Sequence, residues 1–114
     1  MVGADNKITI SDCGSVELES DEMLTFLTTD KNEYDVVRKN WGFYATPSLN
    51  GRLQEFSLRG VLTRNIITNL YFIFLVESGK EELFEEYRIQ EKLEVVTWLD
   101  NSDVLDAVTK FVKK

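Results

Sequence analysis

A run of basic, aromatic and small polar residues carries most of the recognition chemistry in this sequence of 114 residues. Arginine offers a planar fork that binds carboxylate or phosphate groups. Tryptophan and tyrosine offer flat surfaces on which sugar rings or cations rest, and threonine, serine and asparagine form short neutral hydrogen bonds. We predict a ligand-binding region formed by Arg38, Trp41, Tyr44, Thr46, Ser48, Asn50 and Arg52, with Arg59 as an additional member.

The charge of the chain is uneven along its length. Residues 38–64 carry five basic residues against one acid, whereas the whole chain has a net charge of -7. A local positive region in an acidic protein attracts an anion more sharply than a uniform surface does. We therefore expect an anionic small molecule or sugar as ligand. The alternative is structural: Trp41 and Phe43 are core residues, residues 46–51 form a turn, and the arginines pair with the protein's own carboxylates.

The composition excludes several classes of chemistry. The chain has no histidine and a single cysteine, Cys13, so the common zinc sites and the mechanisms that pair a nucleophile with histidine lack their residues. Neither the P-loop pattern nor the dinucleotide glycine pattern is present. We expect a non-catalytic protein without a cofactor or a metal. The enzymatic alternative uses Asp35 or Tyr44 as acid or base, with arginines neutralising charge.

Charge and hydropathy also limit the partners. A net charge of -7 opposes binding to nucleic acid, whose affinity comes mainly from neutralised phosphates. The longest apolar run, residues 70–76, is far shorter than the roughly 20 residues of a membrane-spanning helix. The single Cys13 cannot form an internal disulfide, which fits a reduced cytoplasm. The apolar loop tip Ile66–Ile67 favours a second alternative, a protein-interaction module or homo-oligomer without a small-molecule ligand.

Alternation and turn residues predict the first half of the fold. Three β-type segments, at residues 23–28, 34–39 and 41–46, follow one another with short polar connections. Asn50–Gly51 is typical of a tight hairpin turn, because both central residues of that turn need positive φ. The returning strand is therefore predicted at residues 53–63.

The second half alternates strand and helix. The apolar run at residues 70–76 predicts a strand covered on both faces and thus central to the sheet. Ser78 and Glu81 form a capping-box pattern that predicts a helix beginning at Ser78, with a solvated acidic face. A strand follows at residues 93–99, and Asn101 begins a helix with apolar residues at helical spacing.

These elements predict an α+β fold, an antiparallel β-meander of five or six strands packed against two helices, with the C-terminal helix last. We expect a single domain over residues 21–114. It is preceded at residues 1–20 by an N-terminal edge segment, in which Ile8 and Ile10, then Val16 and Leu18, sit two apart around a turn.

The run from Glu33 to Leu53, which contains Asn40-Trp41-Gly42-Phe43-Tyr44, resembles a group of small bacterial proteins of about this length. The resemblance continues through residues 75–81 and 98–100. Members of that group are uncharacterised and are found among genes for surface polysaccharides or sialic-acid-like sugars. The resemblance implies an accessory role in surface glycan metabolism and a sugar or nucleotide-sugar type of ligand. It implies no catalytic residue.

Overall fold

Residues 9–113, which a computed structural model describes, form two three-stranded antiparallel sheets and three helices. The first sheet has the order β1-β2-β3, with β1 at Met23–Leu27, β2 at Glu33–Lys39 and β3 at Gly42–Ala45. The second sheet has the order β5-β4-β6, with β4 at Leu58–Asn65, β5 at Tyr71–Glu77 and β6 at Leu93–Trp98. The helices are α1 at Arg52–Glu55, α2 at Glu81–Gln90 and α3 at Ser102–Val112.

The α+β class and the C-terminal position of the last helix are confirmed, but the single meander is wrong. The chain leaves the first sheet after β3 and begins a new sheet at β4. Between them lies a connection that contains the buried Pro47, which has no N–H for a sheet ladder, and the short helix α1.

The hairpin predicted at Asn50–Gly51 is also wrong. Gly51 occupies the N-cap position of α1, with φ of -139° and ψ of -105°. The segment after it forms a short helix and not a strand, because Leu53 is buried and packs with Leu49 against Gly60 of β4. As a result, the returning strand begins at Leu58, later than predicted.

Strand β5 is an edge strand, not the predicted central one. Its neighbour β4 lies in the middle of the second sheet and pairs with both β5 and β6. One face of β5 packs on α2, where the Phe74 and Phe84 rings have centroids 5.6 Å apart. The other face remains largely in solvent, with Ile73 57% exposed. The continuous apolar run therefore reflects an uncovered face and not a doubly covered strand.

The core of the second sheet lies between its strands and α2. Val61, Val76 and Phe84 are buried there, and Phe74, Val95 and Trp98 pack against them. Helix α2 begins at Glu81, so Ser78 is not its cap. Instead, Glu81 Oε1 accepts from the Gly79 N–H at 2.8 Å, which leaves a carboxylate near the positive end of the helix.

Helix α3 begins as predicted. The Asn101 side chain accepts from the N–H groups of Asp103 and Val104 at 2.7 and 3.3 Å, which caps the helix. Its residues have a strong apolar stripe, yet none of them is buried. Helix α3 therefore contributes no buried residue to the described core.

The N-terminal segment has no strand over the described residues 9–20, so the predicted edge hairpin is not formed there, and Ile8 lies outside the described residues. Gly14, Val16 and Leu18 instead run along one face of the first sheet. Among the described residues, no helix combines the length and the apolar character that a membrane crossing requires.

Candidate functional site

The structure places Arg38 and Tyr44, two members of the predicted ligand-binding region, on opposite faces of the first sheet. Arg38 is paired with Phe43, whereas Val37 is paired with Tyr44. Paired residues share a face and successive residues alternate. Trp41 lies in the turn before β3 and stacks on Tyr44, with ring centroids 6.2 Å apart. Trp41 and Tyr44 therefore form one surface, and Arg38 belongs to another.

The Trp41–Tyr44 pair is a flat and solvent-facing aromatic surface. The two rings are inclined by only 24°, and the residues are 68% and 46% exposed. Lys39 lies on the same face of β2, where a hydrogen bond from its ammonium group to Asp21 raises its pKa. A platform of this kind can pack against the C–H face of a sugar ring or stack on a planar group.

Arg38 has an unusual environment. Its Nη1 atom is buried and has no hydrogen-bond partner within the described part of the chain. The guanidinium Cζ lies 5.9 Å from the centroid of the Phe43 ring, at the outer limit of a cation–π contact. A buried donor without an acceptor is unfavourable by about 1–3 kcal/mol. Arg38 therefore has capacity for an acceptor that its own chain does not supply.

The three small polar members of the predicted region serve the connection between the two sheets. The Thr46 N–H donates to the Asp35 carbonyl at 3.0 Å. Ser48 Oγ accepts from the Arg52 N–H at 3.2 Å, and Asn50 Nδ2 donates to Ser102 Oγ at 3.0 Å. The Thr46 contact extends the β2–β3 ladder, the Ser48 contact is local to the start of α1, and the Asn50 contact joins the connection to the start of α3.

The remaining arginines are dispersed. Arg52 lies over the Phe56 ring at 5.0 Å. Arg59 forms ion pairs with Asp100 at 2.6 Å and with Glu81 at 3.3 Å. Arg64 pairs with Glu94 at 2.9 Å. Since Arg59 and Arg64 lie on opposite faces of β4 and Arg38 lies in the other sheet, the arginines of residues 38–64 do not form one anion site.

Asp35 and Glu33 form a pair of carboxyl groups on one face of β2. Asp35 is buried, and its Oδ1 accepts from Thr25 Oγ1 at 2.6 Å. The pKa of Glu33 is raised, first by burial and then by the charge of Asp35 and a hydrogen bond to it, while the charge of Arg52 opposes the rise. Asp35, singled out in the enzymatic alternative, is therefore tied into the sheet.

A mostly apolar cleft lies where the β1–β2 hairpin meets the second sheet, and no sequence pattern indicated it. Its volume is about 420 Å³, within the range of small-molecule sites. The walls are mostly apolar, with Phe26, Leu58 and Leu75 among them, and burial raises the pKa of Tyr34, which also lines the cleft. That phenol remains a hydroxyl at neutral pH, which suits a hydrogen-bond donor better than a base.

The polar groups of this cleft hold the two sheets together. Glu77 Oε2 accepts from Asn32 Nδ2 at 2.6 Å and from Thr28 Oγ1 at 3.1 Å. Lys80 forms ion pairs with Asp30 at 3.0 Å and with Glu77 at 3.4 Å. Because these charges are already paired with one another, the cleft has little capacity left for a charged ligand.

Within residues 9–113 there is no cluster of three or more acidic, cysteine or histidine side chains placed to hold a metal ion. Comparison with known proteins adds no function: the chain matches no protein-family model, no curated protein and no solved structure.

Proposed function

We propose that this protein is a non-catalytic interaction module whose partner is a second copy of the same chain. The observation that carries the proposal is α3. The helix has a well-formed apolar stripe and a side-chain cap, yet buries none of its residues. An isolated helix of 11 residues is marginal in water, and its stability normally comes from packing of the apolar face.

The stripe of α3 is available for such packing. Val104 and Leu105 are half-buried near the start of the helix. Further along, Val108 and Val112 are 47% and 72% exposed. Together they follow the helical period on one side, which is the pattern of a helix that faces a core. In a single chain, Val108 and Val112 of this face remain exposed.

The size of the surface supports the same proposal. The chain exposes 8501 Å², whereas a folded monomer of this mass exposes about 6,400 Å². Nine residues lie outside the described range, and nine unfolded residues expose at most about 1,500 Å². When this area is subtracted from the exposed area of the chain, several hundred Å² of excess remain. A standard interface buries about 800 Å² on each partner, so the excess is of the size that one dimer interface would remove.

The shape of the chain is also more extended than that of a compact domain. The radius of gyration is 15.9 Å, against about 13 Å for a compact chain of this length. An extended monomer with few buried side chains gains stability when a partner supplies the missing layer.

We place the receiving surface on the face of the second sheet opposite α2. Near Gly60 this face is covered by the α1 connection, but towards the β4–β5 turn it is open. Tyr71 and Ile73 project there, and the predicted apolar loop tip Ile66–Ile67 is exposed beside them. If α3 of each copy packs on this face of the other, the contact is two-fold symmetric and closed.

The test is the mass of the full chain in solution, measured by light scattering after gel filtration at micromolar concentration. We expect a dimer. The double variant Val108→Ser/Val112→Ser should be monomeric, because it removes the exposed half of the stripe. Ile66→Ser/Ile67→Ser should weaken the dimer from the receiving side.

The matched control is Asp106→Ser/Lys110→Ser, which changes two exposed polar residues on the same helix. This variant should remain a dimer. A monomeric wild-type chain at the highest soluble concentration contradicts the proposal. So does a dimer whose dissociation constant is unchanged by both apolar variants.

A second candidate function is recognition of a sugar or an anionic glycan precursor, and the exposed Trp41–Tyr44 stack beside Lys39 favours it. Titration with nucleotide sugars and sugar phosphates, followed by amide NMR shifts, tests it. We expect shifts around β3 that Trp41→Ala abolishes and Arg59→Lys leaves in place. Absence of shifts at millimolar ligand rejects this candidate.

A further inference from the structure

We propose that the groove between the N-terminal segment and the first sheet binds a small anionic amphiphile, with its carboxylate on Arg38 and its alkyl chain along the groove. This site lies apart from α3 and from the face of the second sheet discussed above. The inference does not depend on dimer formation.

The groove is apolar along its length. It has a volume of about 280 Å³ and is lined by Gly14, Val16, Leu18, Leu24, Phe26, Val36 and Phe43. Leu24 is paired with Val36, and both belong to the face of the sheet that carries Arg38. Such walls favour a hydrocarbon chain, since burying its surface is worth about 25 cal/mol per Å².

Arg38 adjoins this groove through two of its lining residues, Val36 and Phe43, without being part of the lining itself. It is two residues beyond Val36 on the same face of β2, and its guanidinium group lies against Phe43, which is itself part of the lining. One guanidinium nitrogen, Nη1, is buried without an acceptor. A carboxylate placed here would satisfy that donor with a charge-assisted hydrogen bond.

Arg38 also differs from the other arginines of the chain. Arg59, Arg64 and Arg88 each have a carboxylate of the protein within 3.3 Å. Within the described residues, Arg38 and Arg52 have none within 4.0 Å, and only Arg38 has a buried nitrogen without a partner. Among the described residues, Arg38 therefore has no carboxylate partner, and its charge complements an anionic headgroup.

A ligand can reach Arg38 without breaking hydrogen bonds between the N-terminal segment and the first sheet. Over residues 9–18 the described hydrogen bonds are local, such as that from the Gly14 N–H to Asp12 Oδ1 at 2.8 Å. No described hydrogen bond joins this segment to the first sheet. A small displacement of residues 14–18 can therefore admit an alkyl chain while the sheet keeps its ladder.

The combination selects one ligand class. A sugar phosphate would have to bury hydroxyl groups against an apolar lining that offers them no partners, which is unfavourable. An uncharged alkyl alcohol would fill the groove but leave Arg38 without an anion. A carboxylate with a medium-length alkyl chain satisfies both parts of the site.

The experiment titrates the full chain with decanoate below its micellar concentration, followed by amide NMR shifts and calorimetry. We expect saturable shifts in residues 14–18 and in Val36 and Phe43. Acetate, which has the headgroup alone, should not bind, and decanol should bind more weakly than decanoate. Arg38→Gln should weaken decanoate about tenfold, the effect of losing one charge-assisted hydrogen bond, and leave decanol unchanged.

The matched control is Arg52→Gln, which removes the other arginine without a carboxylate partner and should leave decanoate affinity unchanged. If Arg38→Gln does not fold, Val16→Glu decides, because a carboxylate in the groove should abolish binding without a change at Arg38. Three results overturn the inference. The first is that decanoate does not bind. The second is that decanoate binds wild type and the folded variant, Arg38→Gln or Val16→Glu, with equal affinity. The third is that the NMR shifts are confined to other surfaces, including a dimer interface.

Discussion

Arg59 Nε donates to Asp100 Oδ2 at 2.6 Å, while the Arg59 guanidinium lies 4.1 Å above the centroid of the Trp98 ring. A second branch of the same guanidinium reaches Glu81 Oε2 at 3.3 Å. The Arg59 and Asp100 side chains are only 30% and 12% exposed. This one side chain therefore joins the middle strand of the second sheet to the start of α2 and to the connection that leads into α3.

We predict that Asp100→Asn destabilises the protein by about 1–3 kcal/mol, a value between those of exposed and buried ion pairs. The change keeps the shape of the side chain but removes the charge that Arg59 faces in a partly desolvated position. Urea unfolding measures the effect. It must be followed at one fixed protein concentration, because dimer formation would make stability depend on concentration.

The control for this prediction is Glu94→Gln, which breaks the more exposed pair with Arg64. Its effect should stay below about 1 kcal/mol. If Asp100→Asn and Glu94→Gln destabilise equally, the Arg59 contact has no special structural role.

The second prediction concerns pH. Burial and the neighbouring Asp35 raise the pKa of Glu33, so the folded state binds a proton more tightly than the unfolded state does. Between the ordinary glutamate pKa and the raised value, stability falls as pH increases. Glu33→Gln should therefore be more stable than wild type at neutral pH, and the difference should disappear in acid.

Glu85→Gln gives the opposite sign as a control. A hydrogen bond from Arg88 lowers the pKa of Glu85, so its stabilisation is present above the ordinary pKa and is lost as pH falls. This variant should be less stable than wild type at neutral pH and equal to it in acid. Carboxyl NMR titration should place the Glu33 pKa above that of Glu85, and the reverse order contradicts both assignments.

The third prediction concerns Gly51. A Cβ at this position would overlap Ser48 Oγ, the atom that accepts from the Arg52 N–H. Gly51→Ala should therefore destabilise the protein by about 1 kcal/mol or more. The double variant with Ser48→Ala removes the overlapping oxygen, and its effect should be smaller than the sum of the two single changes. Additive effects would show that the overlap is not the cause.

Gly51 also shows where sequence patterns were sufficient and where they failed. The strands at Met23–Leu27, Glu33–Lys39 and Gly42–Ala45 and the Asn101 cap of α3 were predictable, because their signals are local alternation and side-chain caps. Asn50–Gly51 carries an equally local hairpin signal. It was overridden by burial of Leu53 against Gly60, a contact that only the folded chain creates.

Prediction of the candidate site met the same limit, because local signals do not reveal contacts that only the folded chain creates. Residues 38–52 are rich in side chains that can recognise a ligand, but spacing alone did not place Trp41. It lies in a two-residue turn and shares the face of Tyr44, opposite Arg38. The cleft at the hairpin and the partners of Arg59 join residues far apart in sequence. Since each strand can pair with several others, no local sequence pattern predicts these long-range contacts.

The fourth prediction tests how the two sheets are held together. Glu77 ends β5 and accepts hydrogen bonds from Asn32 and Thr28 of the β1–β2 hairpin. Glu77→Ala removes this acceptor and leaves the Asn32 amide without its partner. We expect faster amide hydrogen exchange in β1 and β2, with protection in β4 and β6 unchanged, because the first sheet would open as a unit.

Exchange measured by NMR or mass spectrometry distinguishes this local opening from global destabilisation. Glu82→Ala is the matched control, since it removes an exposed carboxylate at the start of α2 and should leave exchange in β1 and β2 as it is. Uniform acceleration in both sheets after Glu77→Ala would mean that they unfold together, and that the hairpin is held by more than the hydrogen bonds to Glu77.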